Sequence, residues 1–242
     1  KGFNHATLVL RGGDSFTDFK GNSLRKQSFS KAITNNILVE GISQLDSIVL
    51  TNASAEDSDD LQEMIQDFSV GEVVVSKNSY EKRGDSKWDV SVKSHESGEM
   101  ELLSGVKWKL IPANSCKKEV DNSIFTIHGE KILIVEDTIR NLPNKADFVI
   151  ASKKNAEGIA KINGFTQMQT KSLILEKGSG IVKSHISSRF LEQLEQQIPT
   201  IWIAEEDGAV YKRQENGIQR FHTIKSHKDE LNHGQKDHFT IH

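Results

Sequence analysis

The chain has little cysteine and proline and no long apolar run. Its 242 residues include one cysteine, Cys116, and three prolines. A single thiol can form neither an internal disulfide nor a zinc–thiolate cluster, so both of those framework types are excluded. No stretch approaches eighteen consecutive apolar residues, which excludes a membrane-spanning helix within this sequence.

The chain also lacks a strong excess of charge of either sign. The formal net charge is −3, so any contact with nucleic acid needs a local basic surface. Hydrophobic residues make up 36% and charged residues 27%, the balance of a globular protein of one α/β domain or two smaller ones. The first residue is not methionine and no signal peptide follows it, so we expect a piece of a longer protein. A single cysteine does not indicate on which side of a membrane the protein is located.

The first third of the chain alternates strand and helix patterns. Short apolar runs bounded by turn residues predict strands, and apolar residues spaced three and four apart predict helices. The patterns predict strands at 6–11, 46–51 and 70–76 and helices at 23–40 and 57–68. This alternation favours a largely parallel core with crossover helices.

The remainder is richer in strand patterns. They predict strands at 88–93, 107–111, 123–127, 131–136, 147–152 and 172–175, with His128-Gly129-Glu130-Lys131 as a hairpin connection. Ser187 or Ser188 can cap a helix that ends near Gln197. Residues 200–204 and 209–213 are predicted to pair as a hairpin. From about Gln219 the chain is polar and histidine-rich, so we predict a domain at 1–218 and a flexible tail at 219–242.

Several fragments, in order, resemble one family. Residues 36–51, in which Gly41-Ile42 precedes Leu45-Asp46 and a strand ending Leu50-Thr51, resemble the soluble C-terminal domain of competence DNA-uptake channel proteins. The further matching fragments are 6–9, 121–124, 132–137, 146–150, 198–202 and 206–210. The resemblance covers roughly residues 5 to 213 and implies a metallo-β-lactamase-like fold, a four-layer αββα sandwich.

The resemblance also marks where metal ligands stand in active members of this superfamily. The strand ending at Thr51 normally leads into His-x-His-x-Asp-His. Here the three histidine positions are Asn52, Ser54 and Asp57, and the aspartate position is Glu56. The aspartate that bridges two metals is kept as Asp137. The histidine turn after residue 150 reads Lys153-Lys154-Asn155 instead, so its ammonium groups would repel a cation.

These substitutions predict a domain without metal cofactor or catalytic residues. The resemblance then implies a DNA-binding or scaffolding role at the channel of a membrane protein, with the transmembrane portion of the same protein and single-stranded DNA as partners. An ammonium group is expected to neutralise the remaining carboxylates in place of the metal. The candidate DNA contacts are four lysines, Lys145, Lys153, Lys154 and Lys161.

Two alternatives stay open. A rebuilt site of carboxylates, Glu56, Asp57 and Asp137, could hold Mg²⁺ or Mn²⁺ and make the chain a nuclease or phosphodiesterase. The chain could instead be an interaction module unconnected with nucleic acid. The five histidines of the last 21 residues are spaced so that only His238 and His242 would share a helix face, which favours a tail over a metal site.

Overall fold

A computed structural model provides the structure of the chain. It describes residues 6–11, 16–17, 23–24, 34–35, 37–38, 41–52, 57–77, 88–96, 98–111, 121–137, 141–176, 186–203, 209–215 and 218–224. In chain order the strands are β1 (Thr7–Arg11), β2 (Phe16–Thr17), β3 (Ser23–Leu24), β4 (Gln44–Asn52), β5 (Ser69–Ser76), β6 (Ser91–His95), β7 (Glu99–Leu103), β8 (Val106–Ile111), β9 (Asn122–Ile127), β10 (Glu130–Val135), β11 (Phe148–Ser152), β12 (Ser172–Glu176), β13 (Thr200–Ile203), β14 (Ala209–Glu215) and β15 (Ile218–Ile224). The helices are α1 (Asp57–Asp67), α2 (Lys153–Lys161), α3 (Gly164–Gln167) and α4 (Ser188–Glu195).

The first large sheet consists of four parallel strands in the order β1-β4-β5-β6. Its central strands carry the uninterrupted apolar runs Ile48–Leu50 and Val73–Val75, all buried. Such runs are typical of parallel strands that are covered on both faces. Helix α1 covers the outer face with Leu61 and Met64, and Phe68, directly after the helix, packs in the same cluster.

The second large sheet has seven strands in the order β13-β12-β11-β10-β9-β8-β7. Strands β10 to β13 are parallel, whereas β7 to β10 are joined as antiparallel neighbours. The β9–β10 connection is the predicted hairpin. Both of its turn residues have positive φ, 49° at His128 and 87° at Gly129, as a two-residue type I′ turn requires.

The two sheets pack face to face through their inner side chains. Val49 and Val74 of the first sheet meet Trp108, Phe125 and Ile134 of the second. The neighbours of these residues along each strand face outwards, since successive side chains alternate between faces. On the outer face of the second sheet, α2, α3 and α4 contribute a further apolar layer, made of Ala156, Ile159, Ala160, Phe165, Phe190 and Leu194. The layers are therefore helix, sheet, sheet, helix, which confirms the predicted αββα sandwich.

Two local predictions need correction. The helix predicted at 23–40 is wrong at its start, because Ser23–Leu24 pairs with β2 as a strand. The predicted hairpin of residues 200–204 and 209–213 is wrong as well. Strand β13 pairs with β12, and β14 pairs with β15 in a separate antiparallel ribbon.

Other elements were not predicted. Strand β7 and helix α2 lie where no element was expected, and β15 continues to Ile224, inside the segment assigned to the tail. Residues 225–242 lie outside the described residues. In the ranges that the structure describes, no helix is long and apolar enough to cross a lipid bilayer.

Candidate functional site

The carboxyl ends of the parallel strands of both sheets meet at one edge of the sandwich. Thr51, fully buried near the end of β4, donates a long hydrogen bond of 3.4 Å from Oγ1 to Oε1 of Glu136, just beyond β10. The same Oγ1 lies 3.5 Å from the carbonyl oxygen of Leu10 on β1. This contact links the first sheet to the second at the edge where strands of this kind deliver functional residues.

A buried amide shapes the turn that follows β10. Asn122, the first residue of β9, is fully buried, and its Oδ1 accepts hydrogen bonds from the N–H groups of Glu136 at 2.8 Å and Asp137 at 3.0 Å. Two donors on one acceptor fix the backbone of these two residues, so both carboxylates leave the strand end in a defined direction. Asn122 was not among the predicted site residues. Its position at the opening of a strand next to Asp121 was the available signal.

The opposite wall of this edge is the start of helix α2. Ser152 caps the helix, its Oγ accepting from the N–H of Asn155 at 3.3 Å. Asn155 in turn donates from Nδ2 to the carbonyl oxygen of Val135 at 3.2 Å, which fastens the first turn of α2 to the end of β10. Lys153 and Lys154 are therefore the first two residues of a helix, and not part of a loop turn as the sequence suggested.

The electrostatics of this helix start favour anions. The first turn of α2 contains no acidic residue, and the N-terminus of a helix carries a partial positive charge. Lys153 and Lys154 add two ammonium groups there. Lys153 is partly buried and lies 4.0 Å from Glu157 one turn further on, whereas Lys154 is exposed. The start of α2 by itself therefore favours an anion, whereas the carboxylates of Glu136 and Asp137 at the neighbouring strand end favour a cation.

The structure brings some of the predicted site residues to one edge. Asn52 ends β4, Asp57 begins α1, Asp137 follows β10, and Lys153 and Lys154 begin α2. The contacts of Thr51 with Glu136 and of Asn155 with Val135 show that the ends of β4 and β10 and the start of α2 adjoin. Ser54 and Glu56 lie outside the described residues.

Two of the four predicted DNA-contact lysines lie elsewhere. Lys145 precedes β11 and pairs with Asp147 at 3.3 Å, whereas Lys153 follows the same strand at its other end. Five strand residues span about 17 Å. Lys161 ends α2, which runs back from the strand end. Lys145 and Lys161 therefore do not share an edge with Lys153 and Lys154, and one rim of four lysines is not formed.

The part of this edge that the structure describes does not hold the side chains of a zinc centre. Zinc in proteins takes imidazole, thiolate and carboxylate ligands, usually four in a tetrahedral arrangement. In the described part of the chain, no three histidine, cysteine, aspartate or glutamate residues are grouped so as to hold a metal ion. Asn52, Lys153 and Lys154 are residue types that zinc does not take as ligands. No catalytic step through a zinc ion follows from this geometry.

The opposite end of the second sheet is held by a buried carboxylate. Asp147 accepts from the N–H of Lys131 at 3.0 Å, and its Oδ1 lies 2.9 Å from Nζ of Lys171 and 3.3 Å from Nζ of Lys145. Burial raises the pKa of Asp147, but the Lys131 N–H and the two ammonium groups outweigh it, so the pKa lies below its ordinary value. These residues hold the strand starts together and are far from the candidate edge.

Known structures share this architecture. The chain matches the crystal structure of the metallo-beta-lactamase fold protein YhfI from Bacillus subtilis with a TM-score of 0.50. The match covers 66% of this chain and 75% of that chain at 12% sequence identity. The chain has the metallo-β-lactamase fold. At so low an identity, the likeness extends to the fold and not to an activity.

A second solved structure is a weaker match. It is a diphosphatase from the PhnP family, at 17% identity and a TM-score of 0.40, with 58% of this chain and 63% of that chain covered. No protein-family model matches the sequence, and no curated protein matches it. The metallo-β-lactamase fold therefore rests on the architecture, and the function has to be argued from the residues of this chain.

Proposed function

We propose that the chain is a catalytically silent metallo-β-lactamase-fold domain that binds DNA, or scaffolds the channel, in a membrane protein of the competence DNA-uptake type. The observation that carries the proposal is the start of α2. There, Lys153 and Lys154 occupy a first helical turn without any acidic residue, beside the end of β10. Active members of the family that the sequence resembles carry metal ligands at the corresponding turn.

Charge decides what this edge can bind. A helix N-terminus with two lysines adds positive potential, and a divalent cation placed there would be repelled by both ammonium groups. Hydrolysis of a phosphodiester by this fold depends on a metal that acidifies its bound water. A helix start that favours phosphate over a metal ion supports binding without cleavage.

The DNA-uptake context is supported by the sequence fragments that occur in the family's order. They run from residue 6 to residue 210 and cover the strands that frame the candidate edge. The landmark strands β4, β10 and β11 each overlap one of those fragments. DNA is the expected ligand because it supplies the phosphates, and the membrane-embedded part of the same protein is the expected partner.

A second candidate is a metal-dependent nuclease or phosphodiesterase with a carboxylate site. The clamp formed by Asn122 favours it, because Glu136 and Asp137 are held in a fixed orientation at the strand end. Carboxylate oxygens suit Mg²⁺ and Mn²⁺. In this candidate Asp137 acts with Glu56 and Asp57, and the ion would polarise the scissile phosphate.

One experiment on the purified chain distinguishes the two candidate functions. A fluorescently labelled single-stranded oligonucleotide is incubated with the protein and Mn²⁺ or Mg²⁺, with EDTA as control, and bound metal is measured by elemental emission. We expect no cleavage, no stoichiometric metal, and binding that weakens steadily between about 50 and about 300 mM salt.

The matched variants are Asp137→Asn, which keeps the side-chain volume, and Asp137→Ala. Cleavage that both variants abolish would overturn the proposal in favour of the carboxylate nuclease. Absence of both cleavage and binding at low salt would favour an interaction module unconnected with nucleic acid.

A further inference from the structure

An open groove lies between helices α2 and α4 on the outer face of the second sheet. Gln197, just beyond α4, donates from Nε2 to the carbonyl oxygen of Ala160 at 3.1 Å, which holds the two helices together. The described residues that line the groove are Glu157, Lys161, Ser187, Arg189, Phe190 and Gln193. The volume of the groove is about 190 Å³, below the roughly 300–1,000 Å³ of pockets that enclose a whole small molecule. It therefore suits a single phosphate-sized group.

Two basic side chains line the groove from opposite walls. Lys161 belongs to α2 and Arg189 to α4, and both side chains are exposed. Among the residues that the structure describes, no carboxylate pairs with either of them. The ammonium group of one wall and the guanidinium group of the other are therefore both available to an anion that enters the groove.

One carboxylate, that of Glu157, lies in the same groove and opposes an anion there. It lies 4.0 Å from Lys153, one turn earlier on α2, so part of its charge is compensated by a cation outside the lining. None of the described residues that α4 contributes to the lining is acidic, because Glu192 and Glu195 of this helix lie outside it. The lining thus carries two positive charges and one negative charge.

The exposed side of α2 connects this groove to the start of the helix. Lys154 and Lys161 are seven residues apart, nearly two turns, and lie on the side opposite the buried residues Ala156, Ile159 and Ala160. Seven residues at about 1.5 Å each separate the two lysines by about 10.5 Å along the helix axis. Phosphates of one stacked strand advance by about 3.4 Å per nucleotide, so about three nucleotides cover this distance.

We infer that the groove between α2 and α4 binds one phosphate group of single-stranded DNA through Lys161 and Arg189, about three nucleotides from the phosphate at the start of α2. The inference deepens the proposed DNA-binding function and rests on it. The guanidinium group of Arg189 matches two phosphate oxygens through paired N–H donors, and the ammonium group of Lys161 approaches from the other wall. Arg189 was not among the DNA contacts predicted from the sequence, and Lys161 acts with it instead of sharing a rim with the other predicted lysines.

The test compares charge-matched variants of the full chain by fluorescence anisotropy with a labelled oligothymidylate. Lys161→Gln/Arg189→Gln removes both cations of the groove. Lys107→Gln/Lys109→Gln changes the net charge equally on one face of β8, and Lys161→Arg/Arg189→Lys keeps the charge of the groove. All four side chains are exposed, so each variant should fold, and far-UV circular dichroism checks this.

We expect Lys161→Gln/Arg189→Gln to weaken binding about tenfold at low salt, the low end for losing hydrogen bonds to a charged group. The slope of log affinity against log salt should fall by about 0.7, because one phosphate is no longer neutralised. The β8 variant should bind like the unmodified chain, and the charge-keeping variant should retain most of the affinity. Glu157→Gln should strengthen binding about two- to fivefold, and most of this gain should disappear when Lys161 and Arg189 are also changed to glutamine.

Each remaining outcome decides against one level of the proposal. If the unmodified chain does not bind the oligonucleotide, the proposed DNA-binding function fails and the groove assignment fails with it. If the chain binds and Lys161→Gln/Arg189→Gln binds equally well, only the groove assignment is overturned. Equal weakening by the groove variant and the β8 variant would show an effect of net charge alone and would overturn the groove assignment too. Binding to vesicles that contain phosphatidic acid, abolished in the groove variant, together with no binding to DNA, would assign the groove to a lipid phosphate and overturn both proposals.

Discussion

The buried carboxylate of Asp147 yields the most quantitative prediction. In Asp147→Asn the side chain keeps its volume and one oxygen, but the charge is removed. The substitution weakens the hydrogen bond from Lys131 by its charge-assisted part and removes the two ion pairs with Lys171 and Lys145. All three interactions join the starts of neighbouring strands in the second sheet.

The expected loss in the free energy of unfolding follows from how exposed each partner of Asp147 is. A hydrogen bond to a charged group contributes about 1.5–3 kcal/mol, and a neutral acceptor retains roughly half of that. The side chains of Lys145 and Lys171 remain 45% and 61% exposed, so their ammonium groups rehydrate when the carboxylate is absent. Solvent screening holds each of these pairs to about 0.2–1 kcal/mol. We therefore expect Asp147→Asn to lower the free energy of unfolding by about 1–3 kcal/mol at neutral pH.

The pH dependence has a definite sign. The pKa of Asp147 is lower in the folded protein than its ordinary value, so the folded state binds this proton less readily than the unfolded state. The stability it contributes is fully present above the unfolded pKa of about 3.9 and is lost as the pH falls through the lower folded pKa. The difference between Asp147→Asn and the unmodified chain should stay constant from neutral pH to about pH 5 and shrink below about pH 4.

Urea unfolding followed by far-UV circular dichroism at several pH values measures this difference. Glu99→Gln is the matched control, because Glu99 forms an exposed pair with Lys107 at 2.8 Å and its removal should leave the midpoint unchanged. A destabilisation by Asp147→Asn that is as large at pH 3 as at pH 7 would refute the assignment of a charged, paired carboxylate.

Three further substitutions test packing and the candidate edge, each by urea unfolding. A Cβ added at Gly164 would lie 2.7 Å from Leu142 Cδ1 and from Ile159 Cγ2, so Gly164→Ala should cost about 1–3 kcal/mol, and a neutral result would contradict this packing. Gly158 in α2 has nothing within 4 Å of such a Cβ, so Gly158→Ala should stabilise the chain by about 0.5–1 kcal/mol, and destabilisation would contradict it. Asn122→Ala leaves two N–H groups without their acceptor and should cost about 1–3 kcal/mol for each one left buried, whereas a change within error would show that the clamp is dispensable.

The fold could be predicted where one periodicity dominates. The runs Ile48–Leu50 and Val73–Val75 predict buried parallel strands, and Leu61, Met64 and Phe68 predict the helix between them. The Glu-Met-Glu-Leu alternation of β7 has the period of a half-buried strand, a signal that the sequence prediction overlooked. Its pairing with β8 places Met100 against the inner core and makes the strand form.

Strand pairing at long range determined which of the last strands form a hairpin. Residues 200–204 and 209–213 are both strand-like, yet β13 completes the parallel edge beside β12 and leaves β14 for β15. The Asn216-Gly217 dipeptide was the signal that identifies the real hairpin. The polar residues Gln219, Arg220 and His222 concealed the second strand.

The positions of the candidate site could be predicted from the sequence, but the hydrogen bonds between them could not. Asn52, Asp137 and Lys153 were placed by the resemblance, and the structure brings their segments to one edge. The hydrogen bonds of Asn122 and Asn155 could not be predicted, because each joins a side chain to a backbone group that is distant in sequence. Neither spacing nor periodicity reports such contacts.

The order of the two large sheets along the chain affects how the protein folds during synthesis. The first sheet is built within residues 7–95 and the second within residues 99–203, so the sandwich consists of two consecutive halves of the chain. During synthesis, the first half emerges while Val49 and Val74 have nothing to pack against. That valine-lined face stays exposed to water until Trp108 and Phe125 have been made, and it is the surface that a chaperone or a misplaced strand would meet first.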